Sequence, residues 1–233
     1  MKSTLMATAA LFLCMAALVP KCGAAIGSPL LGGTTFVVDP GHGTKYPDGS
    51  ALNVGAVGPG GVQEQEVTLE VGEDLAALLR AAGAKVVLTR SHAQPYRVAT
   101  DKRLDNRARA ALANKLGATA FLAIHADSSL DASAHGTSVF WLKPNSVAFA
   151  RAIRKRLAPL NLGESAFYAR DLAVTNEATV PAALVELGFV SNPHDEQLLA
   201  TPAFQHREAQ ALFAAIVDTF APREHAAHGA MSP

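Results

Sequence analysis

The apolar residues of this 233-residue chain follow two alternating periods. Short runs rich in β-branched side chains predict buried strands at residues 36–39, 85–89, 121–125, 137–142 and 182–187. Between these runs, apolar residues recur at helical spacing, which predicts helices at residues 64–82, 105–116, 147–157 and 203–220. This alternation is typical of the α/β class, so we expect a central, mostly parallel or mixed sheet with helices on both faces.

The alternating pattern extends over residues 33–221 without an internal repeat or a linker, which predicts a single domain. Within it, residues 43–61 are rich in glycine and predict a long loop, and residues 161–169 predict a shorter one. The glycines of the long loop do not lead from a strand directly into a helix, so they do not match a dinucleotide-binding fingerprint. We expect residues 222–233 to form a disordered tail.

Residues 1–24 have the organisation of a secretory signal peptide. Lys2 supplies a positive charge, residues 5–19 are apolar, and small residues follow at positions 23–25. Lys21 stands directly before Cys22, which does not favour processing as a lipoprotein. We therefore expect an exported protein, in the periplasm or in the extracellular space and cell wall, with no membrane span in the rest of the chain.

The composition narrows the chemistry that is open to the exported chain. Both cysteines, Cys14 and Cys22, fall in the predicted signal peptide, so the mature protein would contain neither thiols nor disulfides. Any metal site then depends on His and carboxylate ligands, which suit zinc and similar divalent ions. Basic and acidic residues number 20 each, and this balance does not indicate a nucleic-acid partner.

Four reactive side chains stand where predicted elements begin or end. His42 follows the first strand after a Pro-Gly turn, with glycines on both sides that leave room for a metal or a substrate, and His125 ends the third strand. Glu64 opens the first helix, where an acidic residue is favourable in any case. Glu186 interrupts an apolar strand, which is costly unless the carboxylate is paired or bound to a ligand. Together the four residues favour a metal site at one edge of the sheet.

Five separated motifs carry a resemblance to a known family. They are Val38-Asp39-Pro40-Gly41-His42-Gly43, Glu64 followed by Val67-Thr68-Leu69, Leu88-Thr89-Arg90, Ile124-His125-Ala126-Asp127, and residues 181–192. In this order and over nearly the whole mature chain, they resemble the zinc-dependent N-acetylmuramoyl-L-alanine amidases of the amidase-3 type. This family is the catalytic domain of bacterial cell-wall autolysins.

The resemblance implies a specific site and reaction. It implies one zinc ion per chain, held by His42, Glu64 and His125, with Glu186 as the catalytic glutamate. Three protein ligands leave a fourth position for water, as in catalytic zinc sites, and Glu186 would exchange a proton with that water and with the departing amine. The implied reaction is hydrolysis of the amide between N-acetylmuramic acid and L-alanine of the peptidoglycan stem peptide, in cell-wall remodelling or daughter-cell separation.

Three further residues are candidates for supporting roles. Asp39 and Asp127 stand beside the expected ligands, where each would either orient an imidazole or close a turn. Arg170 lies in a segment similar to the one that lines the substrate groove of the family. It would pair there with a stem-peptide carboxylate or form an ordinary surface ion pair.

Some cell-division members of the family carry an inserted helix that blocks the zinc until an activator removes it. Between His125 and Glu186 this sequence predicts one strand, one helix and a modest loop, which leaves no room for such a helix. We therefore expect an open groove, a peptidoglycan substrate, no obligatory activator and a monomer.

Two rival functions fit part of the pattern. A zinc carboxypeptidase or endopeptidase acting on the stem peptide would use the same ligands and the same glutamate. A peptidoglycan-binding protein with an inactive site belongs to another functional class, but a binding module has no need of Glu186. The products released from peptidoglycan would distinguish the two enzymes, because only an amidase frees a whole stem peptide.

Overall fold

A computed structural model of the chain describes residues 29–47, 50–99 and 101–222. The predicted signal peptide, both cysteines and all but the first residue of the predicted tail lie outside the described residues. The strands are β1 (Thr35–Pro40), β2 (Thr44–Lys45), β3 (Lys85–Leu88), β4 (Arg97–Val98), β5 (Ala120–Asp127), β6 (Thr137–Trp141), β7 (Glu164–Ala169) and β8 (Ala182–Phe189). The helices are α1 (Glu64–Ala81), α2 (Lys102–Lys115), α3 (Val147–Leu157), α4 (Ala173–Glu177), α5 (Pro193–Leu199) and α6 (Pro202–Phe220).

The central sheet has six strands in the order β3-β1-β5-β8-β6-β7. Strands β3, β1, β5 and β8 run parallel, β6 is antiparallel to β8, and β7 is parallel to β6. The short strands β2 and β4 pair separately beside it. The sheet is therefore mixed, and helices cover both of its faces, which confirms the predicted fold class.

The sheet separates two apolar cores of different size. Helices α1, α3 and α6 form the larger core on one face, with buried residues such as Leu75, Ile153 and Leu212. Helices α2 and α4 form the smaller core on the other face, with Ala113 and Val174. Each fully buried Leu or Ile stabilises the fold by about 1.5–3 kcal/mol, so the larger core contributes most of the hydrophobic stabilisation.

Side-chain alternation along the strands decides which face carries the reactive residues. In β5, Phe121 and Ala123 face the smaller core and Leu122 faces the larger one. With a period of two residues, His125 falls on the face of α2 and α4. Glu186 is the register partner of His125 in the parallel strand β8, so the two side chains are neighbours on that face.

Five elements were not predicted from the apolar pattern, namely the short strands β2 and β4, the strand β7 and the helices α4 and α5. Residues 161–169 were expected to be a loop, but β7 forms there as an edge strand in which four of six residues are exposed. Helices α4 and α5 are too short to display a helical period, and α2 begins before the predicted residue 105. The prediction of one strand, one helix and a loop between His125 and Glu186 is therefore wrong, because two strands and two helices lie there.

Candidate metal centre and active site

His42, Glu64 and His125 meet at the carboxyl edge of the sheet, and each offers a ligand atom within 4.8 Å of the other two. Glu64 lies between the imidazoles, with Oε2 3.0 Å from His42 Nε2 and Oε1 2.9 Å from His125 Nδ1. The two rings stand edge to face, with centroids 4.9 Å apart. The imidazole side chains are 24% and 15% exposed whereas the Glu64 side chain is 5% exposed, so solvent reaches the cluster from the imidazole side.

The chemistry of these donors fits a zinc ion. Two imidazole nitrogens and one carboxylate are a ligand set found in catalytic zinc sites. His42 Nδ1 lies 3.1 Å from Asn53 Oδ1, an acceptor that favours the proton on Nδ1 and leaves the Nε2 lone pair available to a metal. Among the residues that the structure describes, this is the single cluster of three or more His, Cys, Asp or Glu side chains with such spacing.

Glu64 is the first residue of α1, so the start of that helix fixes the position of its carboxylate. Backbone N–H groups of Ala56 and Ala126 donate to its two oxygens, at 2.9 and 3.1 Å. Burial raises the pKa of Glu64, but the hydrogen bonds and charges of His125 and His42 outweigh burial and hold that pKa well below its usual range. The carboxyl is therefore ionised and supplies a fixed negative charge to the cluster.

The glycines on either side of His42 make room for protein side chains. A Cβ at Gly41 would lie 2.6–2.7 Å from ring atoms of His125. A Cβ at Gly43 would lie 2.8 Å from the side chain of Arg90, and Gly43 has φ +67°. The space that the sequence suggested for a metal or a substrate is thus filled by one of the imidazoles and by a buried arginine.

Glu186 adds a second kind of carboxyl group beside the cluster. Its Oε2 is buried and has no hydrogen-bond partner among the described residues. Burial raises the pKa of Glu186 well above its usual range, the charges of Glu64 and Asp127 raise it further, and the charge of Arg170 opposes them. A basic carboxylate without a partner among the described residues, next to the cluster of His42, Glu64 and His125, is suited to proton transfer.

The hydrogen bonds that the structure gives Asp39 go to an arginine and a threonine, and neither goes to an imidazole. Its Oδ1 accepts hydrogen bonds from Arg109 Nη1, at 2.9 Å, and from the Thr89 hydroxyl. Asp39 is fully buried near the end of β1, where a carboxylate requires a charged partner, and Arg109 is that partner. Its carboxylate therefore holds Arg109, whose Nη2 donates to the His42 carbonyl at 2.7 Å.

Asp127 and Arg170 have local partners of their own. Asp127 Oδ1 accepts from the backbone N–H of the adjacent residue, Ser128, at 2.8 Å, and its orienting or turn-closing role stays a prediction. Arg170 is exposed, and its guanidinium carbon lies 5.1 Å from the centroid of the Phe140 ring. Its pairing with a substrate carboxylate stays a prediction.

Sequence reasoning missed three polar residues that support His42, namely Asn53, Arg90 and Arg109. Arg90 belongs to the motif Leu88-Thr89-Arg90, but no function was predicted for its side chain from the sequence. Arg109 precedes the buried Ala113 by one helical turn, and a charged residue on an apolar helix face was the signal that could have found it. Asn53 lies in the glycine-rich loop, and no pattern there singles it out.

A cavity of about 530 Å³ opens beside the two imidazoles. Its walls come from the loop after β2, with Tyr46 and Asn53, and from α2, with Asn106. A cleft of this size with polar walls gives a hydrophilic substrate access to the cluster.

Comparison with known proteins identifies the family. Residues 36–218 match the Amidase_3 family, described as N-acetylmuramoyl-L-alanine amidase. The chain is 31% identical over 182 residues to the probable cell wall amidase LytH of Staphylococcus saprophyticus, covering 76% of this chain and 55% of that protein. It thus spans about half the length of the curated relatives that it matches first.

Solved structures agree with the sequence match. The fold is similar to AmiC2 of Nostoc punctiforme, with TM-score 0.69 and 28% identity over 82% of this chain and 98% of that one. It is equally similar to the catalytic domain of CwlV from Bacillus (Paenibacillus) polymyxa var. colistinus, with TM-score 0.69 and 31% identity over 79% and 97% of the two chains. The chain therefore belongs to the amidase-3 family of N-acetylmuramoyl-L-alanine amidases, as its motifs predict.

Proposed function

We propose that this chain is a zinc-dependent N-acetylmuramoyl-L-alanine amidase. Its reaction is hydrolysis of the amide that joins the lactyl group of N-acetylmuramic acid to L-alanine of the peptidoglycan stem peptide. The observation that carries the proposal is the cluster of His42, Glu64 and His125 beside Glu186 at one edge of the sheet. The family match and the names of the relatives support the substrate assignment.

In this proposal His42, Glu64 and His125 hold one zinc ion. When bound, the ion supplies the Lewis acidity that activates water and polarises the amide carbonyl. Glu64 is fixed by two imidazoles and two backbone N–H groups, so it serves as a ligand and is not free to shuttle protons. The proton-transfer role then falls to the other carboxyl group of the site.

Glu186 accepts the proton of the attacking water and returns it to the nitrogen of the departing L-alanine. The C–N bond breaks, and the products are a lactyl carboxylate and a free amine. Its raised pKa makes Glu186 a stronger base than an exposed glutamate, and Oε2 has no competing partner in the described protein. Positioned proton transfer of this kind contributes about 10²- to 10⁴-fold in rate.

The decisive experiment is the mass of the products from purified peptidoglycan, digested with and without a chelator and after zinc is restored. An amidase releases intact stem peptides and leaves unsubstituted muramyl chains. Shortened stem peptides still attached to the glycan would favour the rival carboxypeptidase or endopeptidase. Binding to peptidoglycan without any product would favour the rival binding protein.

The proposal also covers export, an open groove and a monomer. Across the described part of the chain, no helix has both the length and the apolar character to cross a bilayer. The partial exposure of both imidazoles supports access to substrate without an activator. Activity of the isolated chain tests the open groove, and its mass in solution by light scattering tests the monomer. A requirement for an added partner would overturn the expectation of an open groove.

A further inference from the structure

Two buried arginines surround the backbone turn that carries His42. Arg109 comes from α2 and Arg90 follows β3, and their exposed fractions are 2% and 3%. We propose that Arg109, assisted by Arg90, is a positioning residue that holds the turn at residues 40–43 and so aims the His42 imidazole at the metal. This inference rests on the proposed metal site, but the turn itself is testable without any metal.

Three successive carbonyl groups of the turn accept hydrogen bonds from the two guanidinium groups. The Pro40 carbonyl accepts from Arg90 Nε at 3.0 Å and from Arg109 Nη1 at 3.1 Å. The Gly41 carbonyl accepts from Arg90 Nη2 at 2.8 Å, and the His42 carbonyl accepts from Arg109 Nη2 at 2.7 Å. The two arginines therefore fix the orientation of every peptide unit that leads into and out of His42.

Arg109 is itself held from three sides. Its guanidinium pairs with Asp39 at 2.9 Å and with Asp105 at 3.3 Å, and Nη2 donates to the Thr44 hydroxyl at 2.6 Å. Asp39 is the last residue but one of β1, and Asp105 lies one helical turn before Arg109, so the guanidinium group is anchored to both the sheet and α2. A planar fork of donors makes these contacts together, whereas the single ammonium of a lysine does not.

Arg90 connects the same turn to the helix that carries Glu64. Its Nη2 donates to the Gln65 carbonyl at 2.6 Å and to the Thr68 hydroxyl at 2.9 Å, both in the first turns of α1. One side chain thus ties the backbone next to His42 to the backbone next to Glu64. The spacing of these two ligands depends on that connection.

The backbone of His42 explains why such support is needed. Its φ is +61°, in the left-handed region that a non-glycine residue adopts only at an energetic cost. A strained residue of this kind persists when its surroundings determine its conformation from several sides. Arg109 borders the cavity beside the imidazoles, but it is almost fully buried. Its donors are engaged by protein groups, so its role is positioning and not chemistry.

The test compares Arg109→Lys with two controls. Arg107→Lys changes an exposed arginine on the same helix, and Leu79→Ala destabilises the larger core without contact to the turn. Zinc affinity is measured by competition with a chromophoric chelator. In the metal-free proteins, hydrogen exchange is followed at the amides of Gly41 and Gly43, which donate to Ile124 and Asn53 carbonyls.

We expect Arg109→Lys to lower zinc affinity by about 10- to 100-fold, as loss of a group supporting a ligand does. We also expect hydrogen exchange at the Gly41 and Gly43 amides to be faster in Arg109→Lys than in Leu79→Ala when the two variants are compared at the same global stability. Both controls, Arg107→Lys and Leu79→Ala, should bind zinc with wild-type affinity. Affinity and exchange in Arg109→Lys that match Leu79→Ala would overturn the proposal. If exchange at the Gly41 and Gly43 amides is faster in Arg109→Lys but the wild type binds no zinc, the proposed function is refuted. The role of Arg109 in holding the turn would then still be supported. Should Arg109→Lys fail to fold, Arg90→Lys gives the same two measurements.

Discussion

Glu186 and Glu208 are two carboxyl groups that burial affects in the same direction but that lie in different regions of the molecule. Burial raises the pKa of each well above its usual range, and each has buried oxygen without a hydrogen-bond partner among the described residues. Glu186 lies beside His125 at the carboxyl edge of the sheet. Glu208 lies on the inner face of α6, fully buried, with Asp195 as its acidic neighbour.

The difference shows that a perturbed pKa indicates function only in the right place. Beside the cluster of imidazoles, an unpartnered carboxylate is positioned to accept a proton in the proposed reaction. In the core, the same property is a cost to stability, because a buried polar group without a partner has lost its hydration. The proposed function therefore places Glu186 in the chemistry and leaves Glu208 outside it.

The largest effect is expected for Glu186→Gln. Amidase activity should fall by about 10²- to 10⁴-fold, because the amide cannot take up the proton of the attacking water. Bound zinc should be unchanged, because Glu186 is not among the proposed ligands. Release of stem peptides and elemental analysis measure the two quantities. Turnover near that of the wild type would remove Glu186 from the mechanism.

His125→Ala removes the imidazole beside Glu186, which is the feature that distinguishes the surroundings of Glu186 from those of Glu208. Zinc affinity should fall by about 100-fold or more, beyond the usual range for loss of a group that merely supports a ligand. Activity should fall with it although Glu186 is intact. His135→Ala, at an exposed position, serves as the control and should bind zinc normally. One zinc per chain in His125→Ala, at wild-type affinity, would disprove the ligand assignment.

Glu208→Met should raise the free energy of unfolding at pH 7 by about 1–3 kcal/mol, because it removes an unpartnered buried carboxyl. Because the pKa of Glu208 is raised in the folded protein, the folded state binds the proton of this carboxyl more tightly than the unfolded state does. The contribution of Glu208 to stability is therefore complete below its ordinary pKa and is lost as pH rises toward the raised value.

Urea denaturation of Glu208→Met and wild type across that pH range measures the effect. In the variant, the free energy of unfolding should no longer show the decrease with rising pH that Glu208 causes. The variant should keep its amidase activity. Glu66→Met, at an exposed position of α1, controls for the general effect of removing a charge. A less stable Glu208→Met at pH 7 would show that the carboxyl has a favourable partner.

The smallest of these effects is expected for Gly41→Ala. The added Cβ would lie 2.6 Å from the nearest ring atom of His125, so the imidazole must shift, and zinc affinity should fall by about tenfold. Gly117→Ala is the control, because Gly117 has open space around it, and its φ of +56° makes an alanine there strained. That variant should lose stability without losing zinc affinity. Equal zinc affinity in both variants would mean that His125 adapts to the added methyl group.

Strands buried on both faces could be predicted, because they are apolar along their whole length and a single polar residue in them is conspicuous. That contrast made His125 and Glu186 visible in the sequence. The edge strand β7 could not be predicted in the same way, since most of its residues are exposed and it pairs with one neighbour. The partner of Asp39 could not be predicted, because Arg109 lies 70 residues away in the chain.

The sequence by itself determined the α/β class, the family and the four residues of the candidate site, because motifs and apolar periods are local properties of the chain. Only the tertiary structure decided what those residues do to one another. It placed Glu64 between two imidazoles, where its charge is stabilised, and left Glu186 buried without a partner, where its charge is not. Burial and the positions of distant charges set both outcomes, and neither quantity exists until the strands are assembled.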